Sequence, residues 1–187
     1  MKSAKTENTT SCLAAICGGI AVYKTVEVVS KLHQADWDVH VAMSAAARQF
    51  VTPMTFAAVT GKRGLTEMFP NVAEADGEAP YPHIYPASEV DVFLLLPATA
   101  DMIARIALGL ADDIVCASAL ALKRECRRVF CPAMNSNMWA QPAVQRNVER
   151  LVRDGWEQLG PAEGRMACGT TGAGRMLEPT EILSALT

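Results

Sequence analysis

Cys12-Leu13-Ala14-Ala15-Ile16-Cys17-Gly18-Gly19 is the stretch that decides the fold. The apolar run from Cys12 to Cys17 reads as a short strand, and the two glycines close it. From Ile20 to Gln34 the period becomes helical: Val22, Val26, Val29 and Leu32 share one face, while Lys24, Glu27 and Lys31 point away. Strand, glycine turn and helix together form the opening of a βαβ unit.

The same alternation continues outward. Trp37 to Met43 reads as a strand with Trp37, Val39, Val41 and Met43 on one side. Ser44 then opens a short helical stretch, and Pro53 starts another that runs to about Thr60. Residues 61–88 are rich in Pro, Gly and acidic side chains and read as a surface loop at a site or a subunit contact. Val90 to Leu96 is the strongest buried strand. Helices follow over Thr99 to Gly109 and Asp112 to Leu122, then a strand over Arg128 to Cys131 and a helix over Pro142 to Arg153. A strand around Trp156 to Leu159, a glycine-rich loop and a helix from Pro179 complete the chain. This order predicts an α/β fold: a doubly wound parallel sheet of the Rossmann or flavodoxin-like kind, in three α/β/α layers. The expected organisation is a disordered polar arm over residues 1–11 and one domain over 12–187.

Bulk properties narrow the function. Of 187 residues, 50% are hydrophobic and 20% charged, which fits a compact globule with much buried surface. A net charge of −3 without a basic stripe gives no reason to expect nucleic acid. No apolar run is long enough for a membrane span, and Met1 to Ser11 lacks the apolar core of a secretory signal. A cytoplasmic protein is expected. The six cysteines include no C-x-x-C pair and none stands at zinc-ligand spacing from a histidine, so no metal is expected. Cys12, Cys17, Cys116, Cys126 and Cys131 lie in or beside apolar runs and read as core.

In an open α/β sheet a ligand lies outside the carboxyl ends of the strands. Three loops stand there. Gly18-Gly19 precedes a helix whose N-terminal N–H groups suit an anion, although glycine also serves simply to turn the chain. Ser44 offers a hydroxyl for a phosphate or for a helix cap. Pro97-Ala98-Thr99-Ala100 follows the strongest strand, with small residues that permit close approach and Thr99 as a natural N-cap. A fourth loop, Pro132-Ala133-Met134-Asn135-Ser136-Asn137-Met138-Trp139, makes little sense as packing alone. It offers a neutral amide, two thioethers and an indole, which suit a small anionic group beside a flat ring.

This P-x-M-N-x-x-M-W spacing resembles the substrate-recognition motif of the homo-oligomeric flavin-containing cysteine decarboxylases. That family includes phosphopantothenoylcysteine decarboxylase and the peptidyl-cysteine decarboxylases of lantibiotic-type biosynthesis. The resemblance extends from about Cys12 to Glu178. Gly18-Gly19-Ile20-Ala21-Val22-Tyr23-Lys24 looks like the opening of the bacterial phosphopantothenoylcysteine decarboxylase domain, as do Phe50 to Phe56 and Gly109-Leu110-Ala111-Asp112-Asp113. It implies FMN, held at Gly18, Gly19, Ser44 and Pro97, Ala98, Thr99 and Ala100, with Ala133 beside the ring. It also implies homotrimers, often built into dodecamers, with the flavin at a subunit boundary.

The resemblance assigns two catalytic residues. His83, in Tyr81-Pro82-His83-Ile84, matches the family's essential histidine, and an imidazole can accept a thiol proton near neutral pH. Read without the resemblance, a lone loop histidine is simply solvated; His33 and His40 are assigned structural roles. Cys168, in a glycine-rich flap, matches the proton donor of the phosphopantothenoylcysteine decarboxylases. Asn135 would hold the substrate carboxylate through neutral hydrogen bonds, with Met134 and Met138 as further substrate-binding residues, because a salt bridge would over-stabilise the charge that must be lost. The implied chemistry converts the cysteine CH₂–SH to a thioaldehyde. Its C=S then takes up the electrons left by departing CO₂, and an aminoenethiol results. If Cys168 donates a proton while reduced flavin returns hydride, the product becomes a saturated thiol of coenzyme A synthesis and FMN is regenerated. Without that last step the product stays an aminoenethiol, as in aminovinyl-cysteine formation on a precursor peptide.

Two features depart from the family pattern. Asp101 stands where asparagine is usual, which puts a carboxylate near the phosphate loop unless it is paired or turned away. Ile84-Tyr85-Pro86-Ala87-Ser88 also differs from the housekeeping sequence. The expected substrate is 4′-phosphopantothenoylcysteine, with the C-terminal cysteine of a ribosomal peptide as the alternative. A flavin prenyltransferase shares the fold, but the P-x-M-N-x-x-M-W loop argues against it. A non-catalytic binding subunit is disfavoured by His83, Asn135 and Cys168 occurring together.

Overall fold

The computed structural model describes residues 9–69, 81–165, 169 and 171–187. In chain order the elements are β1 (Ser11–Ile16), α1 (Val22–Gln34), β2 (Asp38–Met43), a 3-10 turn (Ala47–Gln49), α2 (Pro53–Thr60) and β3 (Val92–Ala98). There follow α3 (Ala100–Leu108), α4 (Ile114–Leu120), β4 (Arg127–Pro132), α5 (Ser136–Trp139) and α6 (Pro142–Arg153). The chain ends with β5 (Trp156–Gln158), β6 (Ala162–Arg165), β7 (Thr171–Arg175) and α7 (Pro179–Leu186). β1 begins at Ser11, one residue inside the stretch assigned to the N-terminal arm. Residues 1–8 lie outside the described residues.

Five strands form a parallel sheet in the order β2-β1-β3-β4-β5, the flavodoxin-like doubly wound arrangement. Every residue of β1 and β3 is buried, as their unbroken apolar runs require for central strands covered on both faces. Cys12, Ala14 and Ile16 face one core with α1, α2 and α7; Leu13 and Ala15 face the other with α3, α4 and α6. The expected three layers are thus in place.

Local signals set the boundaries. Pro53 and Pro142 occupy the first turns of α2 and α6, where the missing N–H costs nothing. Asp113 accepts from the Val115 and Cys116 amides at 2.8 and 3.1 Å and so starts α4. Gly109 ends α3 in the left-handed region, at φ 72°.

Four features differ from what the sequence predicts. The glycine-rich loop is an antiparallel hairpin of β6 and β7. The recognition loop contains a helical turn, α5. Lys24 does not point away: its ammonium binds Glu178 at 2.8 Å, with the side chain only 12% exposed. His40 has partners from outside its local pattern, lying 3.3 Å from the Asp38 carboxylate and 3.0 Å from Lys62 Nζ, and Lys62 also pairs with Asp38. Burial, reinforced by the Lys62 charge, lowers the His40 pKa.

At the amino end of the sheet, Asp91 accepts from the Ser11 amide at 3.0 Å and its hydroxyl at 2.8 Å, and pairs with Lys123 at 3.0 Å. The Ser11 amide, followed by its hydroxyl and Lys123, holds the Asp91 pKa down at about 2. Burial raises the thiol pKa of all five described cysteines, so they remain protonated at neutral pH.

Candidate active site

A cleft of about 1080 Å³ opens at the carboxyl ends of β1, β2, β3 and β4. With β1 at the point where the strand order reverses, this is the ligand crevice of a doubly wound sheet. Its floor is made by the turns after those strands. Gly18 and Gly19 follow β1, Ser44 to Ala46 follow β2, Thr99 and Ala100 follow β3, and Ala133 to Asn135 follow β4.

Gly18 is needed because the Ala46 loop crosses directly above it: a Cβ at Gly18 would lie 2.4 Å from Ala46 Cβ. The turning role of Gly18 is therefore also a packing role, which brings two loops edge to edge. Gly19 is roomier, since a Cβ there would stand 3.7 Å from Thr99 Cγ2. Among the described residues, the amides of Gly19, Ile20, Ala21, Ala45 and Ala46 have no hydrogen-bond acceptor. Ser44 Oγ is buried and accepts from the Ala47 amide at 3.2 Å, which caps the 3-10 turn and keeps the hydroxyl facing the cleft. Thr99 Oγ1 accepts from the Met102 amide at 3.2 Å as the N-cap of α3, as its position after the strand predicts. The result is a rim of N–H donors at two helix starts and one turn.

The opposite wall carries Met134, Asn135 and Met138. Asn135 is the N-cap of α5, its Oδ1 accepting from the Asn137 amide at 2.8 Å, so the small helix fixes the orientation of its amide. The hairpin lies against this wall: the Met134 amide donates to the Gly174 carbonyl at 2.9 Å. Arg165, Gly174, Arg175 and Met176 bring it into the cleft lining.

Pro97 and Ala98 do not line the cleft. Both belong to β3, and Ala98 is fully buried beneath it, its carbonyl accepting from the Ala133 amide at 3.0 Å. β3 runs two residues further than its apolar pattern predicts, which draws both into the sheet. His83 is also outside the cleft of its own chain, in the turns over residues 82–89 that lead to the amino end of β3. Its ring meets Phe69 edge-on at 6.3 Å, and its Nδ1 is buried with no partner among the described residues. Cys168 lies outside the described residues, in the connection between β6 and β7.

Asp101, the departure from the family pattern, is paired. Arg105 Nε binds it at 2.9 Å while Arg105 Nη1 binds Asp112 at 2.7 Å. The Arg105 hydrogen bonds lower the Asp112 pKa, and those of Asp112 and Asp101 raise that of Arg105. The Asp101 carboxylate beside the Thr99 turn thus has a cationic partner, which it shares with Asp112. Cys17 also lines the cleft, but burial, with Asp113 nearby, raises its pKa far from thiolate chemistry.

Lys24, Arg175 and Glu178 line the cleft as well, and nothing in the sequence pattern singles them out. Glu178 accepts from Lys24 at 2.8 Å and forms an ion pair with Arg175 at 3.3 Å, and the Lys24 hydrogen bond lowers its pKa. Lys24 and Glu178 are 154 residues apart, so no local pattern could pair them.

The geometry has relatives. The bifunctional coenzyme A biosynthesis protein CoaBC of Vibrio cholerae is 41% identical over 172 residues, covering 92% of this chain and 42% of that protein. The chain thus spans about two fifths of the length of the curated relatives it matches. The crystal structure of the FMN-dependent cysteine decarboxylase SpaF superposes with a TM-score of 0.76 at 29% identity, over 95% of this chain and 98% of SpaF. A mutant PPC decarboxylase complexed with pantothenoylaminoethenethiol gives a TM-score of 0.83 at 23% identity, over 96% and 97% of the two chains, a likeness of fold. The flavoprotein family model matches residues 1–187, and the chain belongs to that family.

Proposed function

We propose that this chain is an FMN-dependent cysteine decarboxylase whose substrate is 4′-phosphopantothenoylcysteine. The observation that carries the reading is the meeting, in one cleft, of a rim of N–H donors and a wall bearing Met134, Asn135 and Met138. The cleft volume, about 1080 Å³, lies just above the range for ligand and cofactor sites, roughly 300–1,000 Å³. A phosphate monoester fits the rim: the amides of Gly19, Ile20, Ala45 and Ala46, the Ser44 hydroxyl and the N-terminus of α3 at Thr99 and Ala100 would hold it. Ala133 would lie beside the ring. Pro97 and Ala98 support this cradle from below.

Bound FMN supplies the two-electron oxidation of the substrate CH₂–SH to a thioaldehyde. Every other duty falls to side chains. Asn135 orients the carboxylate with a neutral amide, so its charge is not stabilised against departure as CO₂. Met134 and Met138 flank it with apolar surface. His83 takes the thiol proton. His83 stands outside the cleft of its own chain, so this role calls for a second copy to present it, in keeping with a site at the subunit boundary of a homotrimer. Cys168 donates a proton to the enethiol carbon, and the two electrons removed in the initial oxidation would be returned as hydride by the bound cofactor, which together give the saturated thiol. Among the described residues no helix is long and apolar enough to cross a membrane, and a cytoplasmic location accords with coenzyme A synthesis.

The likeness to SpaF over nearly its full length favours a second reading, decarboxylation of the C-terminal cysteine of a peptide to an aminoenethiol. Incubating the FMN-loaded protein with 4′-phosphopantothenoylcysteine and with a peptide ending in cysteine, and weighing the products, separates the two. Loss of CO₂ from the first substrate supports the leading reading. Loss from the peptide alone moves the assignment to peptide modification, and loss from neither removes the decarboxylase.

A further inference from the structure

We propose that Glu178 is a positioning residue for substrate binding: it ties the cofactor-side wall of the cleft to the recognition wall that carries Asn135. This inference rests on the decarboxylase reading above for the role of Asn135, but its structural part does not.

The tie can be traced bond by bond. Lys24 sits in the first turn of α1, the helix whose start forms the donor rim, and its Nζ lies 2.8 Å from Glu178 Oε1. The same oxygen lies 3.3 Å from Arg175 Nη1, at the end of β7. One residue earlier, the Gly174 carbonyl accepts from the Met134 amide at 2.9 Å, next to Asn135. Two residues further back, a Cβ on Gly172 would come within 3.1 Å of Ser136 Cβ, so β7 lies flush against the start of α5. Glu178 also begins α7: its side chain accepts from the Glu181 amide, and the Glu181 side chain accepts from its own amide at 2.8 Å. One carboxylate therefore joins α1, β7 and the start of α7, and α1, β7 and Glu178 itself all line the cleft.

Electrostatics makes the Lys24 contact the dominant one. The Lys24 side chain is only 12% exposed, whereas that of Arg175 is 41% exposed and screened by water. Glu178 itself is half exposed, so the pair is only sheltered on the lysine side, and losing the carboxylate leaves the Lys24 ammonium there without its partner. When the tie is lost, β7 keeps its hairpin partner and its contacts with Met134 and Ser136 but loses its anchor to α1, which loosens the carbonyl that fixes Met134. A misplacement on the order of 1 Å can cost up to about a hundredfold in a positioned site.

The test compares Glu178→Gln, which keeps an acceptor for the α7 cap and removes the charge, with Lys24→Met and Lys24→Arg in the FMN-loaded protein. Both charge-removing variants are expected to raise KM for 4′-phosphopantothenoylcysteine about tenfold, with kcat changed less than about threefold and FMN affinity retained. Lys24→Arg should recover most of the wild-type KM. Hydrogen exchange at the Met134 amide, read without substrate, should quicken in both charge-removing variants. The proposal is overturned if Met134 exchange is unchanged, or if melting temperature falls while KM holds. It is equally overturned if Glu178→Gln lowers KM while Lys24→Met raises it, since Lys24 would then be a plain anion site. Absence of any turnover by the wild type removes the proposed substrate, while the exchange measurement still decides the tie.

Discussion

Gly18 and Ala46 approach so closely that a single methyl group on Gly18 would stand 2.4 Å from the Ala46 side chain and 2.6 Å from its carbonyl carbon. Two strand-end loops are thus pressed together at the floor of the cleft. Gly18→Ala forces them apart, and overpacking of this kind costs about 1–3 kcal/mol. A lower melting temperature and a purified protein with less flavin absorbance are expected. Gly19→Ala, with its nearest neighbour at 3.7 Å, should be far milder in both respects. Equal behaviour of the two variants would remove close loop packing as the reason for glycine at position 18.

His83→Asn should retain FMN and lose about 10²–10⁴-fold in turnover, the usual loss for a general base. Asn135→Asp should weaken substrate binding by repulsion with the carboxylate. Because one chain does not bring His83 to its own cleft, mixing the two variants under subunit exchange should restore part of the activity. Activity that never returns on mixing would place His83 and Asn135 in the same site of the same chain, against the shared boundary.

Cys168→Ser tests the last proton transfer. A hydroxyl is a far weaker acid than a thiol, whose ordinary pKa is about 8.5. The variant should still release CO₂ and accumulate the aminoenethiol, two hydrogens lighter than the saturated product by mass spectrometry. If the wild-type protein itself stops there, Cys168 is idle and the peptide reading gains.

Asp91 sets an acid limit on stability. Its folded pKa, about 2, lies below the ordinary carboxylate value, so its contribution is fully present above about pH 4. It is lost as the pH falls through the folded value. Asp91→Asn should therefore be less stable than the wild type near neutrality, with the difference shrinking towards pH 2. Urea unfolding at several pH values measures it, and a pH-independent difference would mean that Asp91 acts through something other than its charge.

Much of the fold is legible in the sequence because each element carries its own punctuation. Pro53 and Pro142 mark helix starts to the residue, and the apolar run into β3 leaves no choice but a central strand. The cradle at Gly18, Ser44 and Thr99 is legible for the same reason, since cradle residues follow strands. The hairpin of β6 and β7 is not. Gly164, Gly172 and Gly174 give it little side-chain pattern, and its shape depends on packing against α5, a contact that only the folded chain supplies. Lys24 escapes notice because helical periodicity places it on the polar face, while its partner Glu178 arrives from the far end of the sequence. His83 is legible by resemblance alone, and its separation from the cleft is invisible to any reading of one chain.

The sheet has two outer margins, and neither invites extension. Along β2, Leu65 donates to the Val41 carbonyl and accepts from the Met43 amide, both at 2.8 Å, so part of that margin is already taken. At the other side β5 contributes only three residues. Unpaired strand backbone is a template for uncontrolled growth, and short or covered margins suppress it. Copies of this chain are consequently steered to meet through side chains on their helices and loops. Contacts of that kind can close into a finite ring when their rotation allows it, whereas strand-to-strand addition continues as a ribbon.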